Sequence, residues 1–180
     1  MNKKKRLLLH ACCAPCSTVP FKRLKDKGYD VTFFFYNPNI FPKEEEWKRR
    51  KEAIDYYKKH GIKYFIDAGD RDLWSSMIEG FEKEPEGGKR CIKCYDMRLR
   101  KTAIVAKKNG FDAIAATLTV SPHKDSKKVN KVGRNVAKEF EIEFVDEDFG
   151  ENDGFKESCE ISRQEGFYRQ KYCGCEFSMG

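Results

Sequence analysis

The 180-residue chain has no apolar run of membrane-spanning length. Between the basic opening, Met1 to Arg6, and His10 stand only Leu7, Leu8 and Leu9, well short of a signal-peptide core of roughly 7–15 apolar residues. A cytoplasmic protein without a membrane partner is therefore expected. Internal repeats, low-complexity segments and linkers are also lacking, so one domain spanning 1–180 is expected. A chain of this length buries roughly 70% of its unfolded surface. Cysteine is thus not needed to compensate for a small core. Glutamine is nearly absent, with only Gln164 and Gln170, while charged residues reach 36%. That balance leans thermophilic, and hyperthermophiles are where intracellular disulfides do occur.

The formal net charge is +7. A solvated surface accounts for this, and so does a polyanionic partner such as nucleic acid, whose phosphates Lys and Arg would neutralise. Two basic stretches favour the second reading: Lys48-Arg49-Arg50-Lys51, and Lys124 to Arg134 with Lys127, Lys128 and Lys131. Both fall on expected helices, where such runs are often the wet face.

Strand-length apolar runs alternate with helical stretches. Strands are expected at Arg6 to Leu9, Val31 to Tyr36, Lys63 to Ile66, Ala113 to Leu118 and Glu143 to Val145. Helices are expected at Pro15 to Lys27, Lys43 to His60 (with Trp47, Ile54 and Tyr57 on one side), Leu73 to Phe81, Ile92 to Asn109 and Lys127 to Phe140. Phe33, Phe34 and Phe35 read as core. This alternation predicts an α/β fold: a Rossmann-like parallel sheet with helices on both faces. After Asp146 the regularity fades, and the tail from Phe149 onward is expected to fold back over the body. Ligands of such sheets gather at the carboxyl ends of the strands. Cys12 and Cys13 follow the first strand there, and Thr117, Thr119 and Ser121-Pro122 follow the fourth. The helix carrying Cys91 and Cys94 leads into the fourth strand, so its start is expected at the other end of the sheet unless the Glu84 to Arg90 loop climbs back.

What the chain does have is clustered cysteine. Five of its eight stand in Cys12-Cys13-Ala14-Pro15-Cys16 and Cys91-Ile92-Lys93-Cys94, and Cys173-Gly174-Cys175 lies near the end. In a reducing compartment such groups point to metal or redox chemistry. Three readings stay open. Cys13-x-x-Cys16 with Cys91-x-x-Cys94 has the spacing of a structural zinc site but leaves Cys12 unexplained. Cys13-Ala-Pro-Cys16 alone resembles a redox pair between strand and helix. A four-thiolate iron–sulfur cluster is the third. Cys173-Gly174-Cys175 would close a small, strained and easily reduced ring, which suits a redox dithiol, although extra metal ligands or inert thiols fit as well. Cys159 stands alone and reads as packing. His10 reads as a proton donor, a ligand or a histidine satisfied at the strand edge, and Tyr95 and Tyr168 as core, as proton donors or as rings that stack on a base.

Taken together, His10-x-Cys12-Cys13-Ala14-Pro15-Cys16, Arg90-Cys91-x-x-Cys94-Tyr95-x-x-Arg98-Leu99 and Gly166-Phe167-Tyr168-Arg169-Gln170-x-Tyr172-Cys173-Gly174-Cys175 resemble the cobalamin-independent epoxyqueuosine reductase family of the QueH type. Phe167 stands where leucine is expected. The resemblance implies an oxidoreductase acting on tRNA: reduction of epoxyqueuosine to queuosine at the wobble position, the last step of queuosine biosynthesis. It implies a [4Fe-4S] cluster on Cys12, Cys13, Cys91 and Cys94, and a redox-active pair at Cys173 and Cys175. Cys16 is left to hold a further iron or the substrate oxygen. The tail is then expected over the active site, and an electron donor, which the sequence does not identify, completes the list of partners. Two alternatives are a zinc-stapled tRNA-binding module without catalysis and an iron–sulfur enzyme desulfurating a thiolated base.

Overall fold

The computed structural model describes residues 3–179. Its centre is a five-stranded parallel sheet ordered β3-β2-β1-β4-β5. The strands are β1 (Arg6–Ala11), β2 (Asp30–Tyr36), β3 (Tyr64–Asp67), β4 (Ala113–Ala116) and β5 (Glu143–Phe144). The helices are α1 (Ala14–Asp26), α2 (Lys43–Lys59), α3 (Arg71–Ile78), α4 (Lys89–Lys108), α5 (Ser126–Glu139) and α6 (Gly154–Glu165). Because both sheet faces are covered, alternate residues of each central strand enter different cores. Leu7, Leu9, Phe33 and Phe35 pack with Leu24 of α1 and with Ala53 and Tyr57 of α2. Leu8, Phe34, Ile114 and Ala116 pack with Leu99 and Ala103 of α4 and with Val129 and Val136 of α5.

The chain runs outward from β1 through β2 to β3, then crosses to β4 on the other side of β1. The order therefore reverses between β1 and β4, which pair in register from Leu7 opposite Ala113 to His10 opposite Ala116. Such a reversal leaves a crevice at the carboxyl ends of the two strands.

Three expectations need correction. The start of α4 lies at the carboxyl edge of the sheet, beside Cys12, and not at the opposite end. A crossover helix entering a parallel strand runs antiparallel to it, so its first turn stands where the preceding strand ended. Buried Arg90 fastens that turn: its Nη1 donates to the Glu82 carbonyl at 2.8 Å and also to the Glu84 carbonyl. Next, Trp47 is 57% exposed, and α2 instead buries Glu46, Arg49, Ala53, Tyr56 and Tyr57. Finally, β4 ends at Ala116, and Thr117–Val120 form a tight 3-10 turn. Thr119 Oγ1 in that turn receives the Phe149 N–H at 3.2 Å and so anchors the chain as it leaves the sheet.

The segment after Asp146 holds a helix that the apolar pattern does not show. The buried stripe of α6 is Gly154, Ser158 and Ser162, small residues four apart that bring it close against α1. Ser158 Oγ donates to the Pro15 carbonyl at 2.8 Å, and Ser162 Oγ to the Ser158 carbonyl at 2.6 Å. A Cβ at Gly154 would stand 2.0 Å from the Phe149 carbonyl oxygen, a backbone atom with no rotamer to yield. Gly154→Ala is expected to lower stability by about 1–3 kcal/mol. At roughly 2–4 °C per kcal/mol, this reads out as a lowered Tm in calorimetry. A variant melting with the wild type would show that α6 can shift freely.

Candidate functional site

Cys12 leaves β1 and Cys13 precedes the first turn of α1, which carries Cys16. The three sulfurs lie within 4.8 Å of one another. Cys12 Sγ is also 3.8 Å from Thr117 Oγ1 at the end of β4, so the two sides of the crevice meet at this thiol. Hydrogen bonds from Cys13 and Cys16 hold Cys12 well below the ordinary thiol range, while the same contacts raise Cys16. Burial pushes Cys13 up to about 12. Among the three thiols, Cys12 is thus the first to become a thiolate.

Cys91 and Cys94 lie in the first turns of α4, outside the cavity lining. Cys91 Sγ receives the Gly87 N–H at 3.2 Å. Cys94 is buried beside Trp74, Ile78 and Cys175. These two do not join the tight group of Cys12, Cys13 and Cys16. They share its charges instead, because the Arg98 guanidinium is near both Cys94 and Cys12.

Two cations face these thiols. Arg98 is fully buried, with Nη2 donating to Asn37 Oδ1 at 2.6 Å. Burial opposes its charge, but Cys94, Cys12 and Cys173 outweigh burial and hold its pKa above the usual range. Lys124 behaves alike: burial works against the ammonium, and Cys173 and Cys12 raise it further than burial lowers it. Neither cation has a carboxylate partner among the described residues. His10 is interior and does not line the pocket. Its Nε2 stands 2.9 Å from the Tyr36 carbonyl and 3.3 Å from Arg98 Nε, and one nitrogen cannot donate to the first while accepting from the second. The shorter contact assigns the proton to Nε2. Burial, and then Arg98, push the ring down to about 3, so it is neutral.

The tail closes the site, as the sequence leads one to expect. Gln170 Nε2 donates to Cys13 Sγ at 3.1 Å. Phe41 N–H donates to the Gly174 carbonyl at 2.7 Å, and Gly174 turns with φ +113°, a conformation suited to glycine. Buried Arg49 uses all three nitrogens here: Nε to Glu45 at 2.7 Å, Nη1 to the Cys173 carbonyl at 3.0 Å and Nη2 to the Tyr172 carbonyl at 3.2 Å. The Lys48 to Lys51 run is thus mostly engaged within the protein, since Arg50 pairs with Glu46, Lys51 with Asp55, and Lys48 lies over Tyr168. Cys173 and Cys175 are free thiols that point to different surroundings. Cys173 lines the pocket, whereas Cys175 is buried beside Cys94 and pushed up to about 11, chiefly by burial. Cys159 on α6 is half-buried and outside the pocket lining.

The resulting cavity holds about 470 Å³. Thiols of Cys12, Cys16 and Cys173 form one side of it, and Phe155, Arg169 and Lys171 are among the residues on the rest. Sequence reasoning took Arg49 for part of a basic surface run and did not reach Phe155. The first sits inside a run of charge, and the second on a helix without an apolar stripe.

Arg49→Met removes both donors to the tail carbonyls. Loss of at least about 1.4 kcal/mol corresponds to a tenfold larger open population. Alkylation of Cys175 followed by mass spectrometry is expected to speed up about tenfold, with Arg49→Lys in between because one ammonium cannot fork. Labelling at the wild-type rate would mean that the tail is held elsewhere.

The family model described as Epoxyqueuosine reductase QueH matches residues 7–180. Relatives bearing that description include the Acinetobacter baylyi protein, 40% identical over 175 residues, covering 97% of this chain and 80% of the relative. The Haemophilus influenzae protein is 42% identical over 176 residues, covering 97% and 71%. The Thermotoga maritima protein is 32% identical over 177 residues, covering 96% and 90%. Among solved structures, the U34-tRNA thiolase NcsA from Methanococcus maripaludis with its [4Fe-4S] cluster superposes with a TM-score of 0.64 at 13% identity, covering 99% of this chain and 63% of that one. A predicted subunit of tRNA methyltransferase from Methanocaldococcus jannaschii gives 0.61 at 14%, covering 88% and 74%. These two likenesses carry the fold, and the sequence relatives carry the family: the chain belongs to the epoxyqueuosine reductase QueH family.

Proposed function

We propose that this protein reduces epoxyqueuosine to queuosine at the wobble position of tRNA, in the cytoplasm, as the last step of queuosine biosynthesis. The observation that supports the reading beyond family membership is the meeting of two cysteine segments, through Cys12, Cys16 and Cys173, and two cations without carboxylate partners among the described residues on one cavity, with Cys94 beside the same Arg98. A [4Fe-4S] cluster would be held by Cys12, Cys13, Cys91 and Cys94. The donor set fits it: soft thiolates beside buried positive charge suit an anionic cluster. The cluster-bearing thiolase of the same fold is consistent with that choice. Such a cluster supplies single-electron transfer and a Lewis-acidic iron. Cys16, beside Cys12 and Cys13, is the residue proposed for a further iron or the substrate oxygen.

Converting the epoxide to an alkene consumes two electrons and two protons and releases water. Oxidation of two thiols to a disulfide yields two electrons and two protons, so the Cys173 and Cys175 pair matches the demand. An external donor then restores the dithiol. Gln170 orients the Cys13 sulfur through its N–H, and the Lys124 ammonium sets positive charge at the pocket wall, where a developing alkoxide is stabilised.

Mass analysis of tRNA nucleosides tests the reading. A strain lacking this protein accumulates epoxyqueuosine, and the wild-type gene restores queuosine. Cys91→Ala is expected to lower bound iron and sulfide and to abolish turnover. A Cys91→Ala protein with full iron, full sulfide and normal rate would remove Cys91 from the ligand set.

The tRNA backbone is proposed to lie along α5. Lys128 there is already tied to the Gly87 carbonyl at 2.9 Å, whereas exposed Lys127 and Lys131 have no carboxylate partner among the described residues. Replacing both by Gln should lower the slope of log affinity against log salt by roughly one unit per lost phosphate contact. An unchanged slope assigns them to the solvated face.

A further inference from the structure

Part of the pocket wall carries no chemistry of electron transfer. Phe155 stands on the first turn of α6, 38% exposed, in the same cavity as Cys12, Cys16 and Cys173. The cavity also has Tyr172 and the His123 imidazole; Tyr172 is engaged, since its hydroxyl donates to the Phe41 carbonyl and Arg49 lies 5.2 Å from its ring centre. Among the described residues, the cation over the Phe155 ring is the Arg169 guanidinium, 6.0 Å from its centre, and no aromatic ring stacks on it. Arg169 is itself exposed and has no carboxylate partner among the described residues. The close seat of Gly154, Ser158 and Ser162 on α1 fixes the Phe155 backbone relative to the loop of Cys12, Cys13 and Cys16.

The cavity lining is strongly positive, with Arg98, Lys124, Arg169 and Lys171 against Glu86. An open phenyl ring flanked by unpaired cations suits a ligand that is flat on one part and anionic on another. A single unstacked nucleotide has both parts, and about 470 Å³ accommodates one nucleotide but no duplex. Sequence-reading enzymes of RNA commonly hold splayed bases on such aromatic faces.

We propose that Phe155 and Arg169 form the nucleotide-binding wall of this pocket, Phe155 stacking on the everted wobble base and Arg169 holding the phosphate beside it. This rests on the tRNA reading given above. The base enters with its face on Phe155 and its cyclopentane-epoxide substituent toward the thiols. Lys171 adds charge at the rim.

The test uses the full-length protein and labelled anticodon stem-loops that carry epoxyqueuosine, guanine or an abasic site at the wobble position. Phe155→Ala is expected to weaken binding of the two base-bearing loops about 5- to 100-fold. The abasic loop already binds the wild type weakly, and the substitution adds no further loss. Phe155→Trp keeps affinity, which also shows that the position tolerates change, whereas Phe155→Leu behaves as alanine does. Arg169→Gln weakens all three loops and lowers the salt slope by about one unit. Wild-type affinity in Phe155→Ala, a loss that persists on the abasic loop, or leucine equal to tryptophan would overturn the stacking role. An unchanged salt slope in Arg169→Gln would overturn the phosphate contact. Wild-type conversion of the epoxyqueuosine loop is scored in parallel. Failure there with an intact binding pattern would strike the reductase reading and leave the nucleotide wall standing.

Discussion

Arg98 lies fully buried, facing Cys12, Cys94 and Cys173, with Asn37 and His10 beside it and no carboxylate in reach among the described residues. Burying an unpaired charge costs several kcal/mol even after relaxation, so the interior must hold an anion for it. Thiolates are the groups positioned to serve. Much of the surrounding arrangement follows from that constraint. His10 has to remain neutral, since an imidazolium 3.3 Å from a guanidinium would add a second unpaired charge. Asn37 turns its oxygen to Arg98 and its amide nitrogen to the Ala11 carbonyl, which links the strand before Cys12 to the helix after Cys94. Lys124 repeats the pattern from the β4 side.

Two further interior arginines act by geometry. Arg49 and Arg90 each gather backbone carbonyls of an irregular segment, one at the Cys173 turn and one in the loop before Cys91. A guanidinium presents several donors in a fixed plane and can hold neighbouring carbonyls with little further loss of rotamer freedom. Sequence position alone conceals this use. Arg49 sits in the run Lys48-Arg49-Arg50-Lys51, and only the helical phase within α2 separates its buried place from its exposed neighbours.

The same distinction explains what was legible in the chain. The apolar strands, the helices that follow them and the cysteine motifs were readable because each signal is local. The placement of Cys12 beside Thr117 followed from the βα alternation, as β1 and β4 pair. The end of the sheet at which α4 begins was misread because it depends on the direction of a whole crossover, not on any residue in it. Helix α6 escaped notice because hydrophobic periodicity detects only helices that bury apolar side chains. This one buries a glycine and two serines, and its adhesion comes from close backbone approach and hydroxyl bonds.

That stripe has a consequence for how the pocket is assembled. Because Ser158 is bonded to the Pro15 carbonyl within the first turn of α1, the wall bearing Phe155 and the thiols of Cys13 and Cys16 share one mechanical frame. The tail from Tyr168 onward is fastened mostly around α2, to Glu45, Glu52, Arg49 and Phe41, and touches the first frame through Gln170 on Cys13. Two anchorages therefore meet at a seam running along the cavity. Displacing the tail along this seam would carry Cys173 away and break the Gln170 bond to Cys13, while the spacing of Cys13, Cys16 and Phe155 stays fixed by the α1–α6 frame.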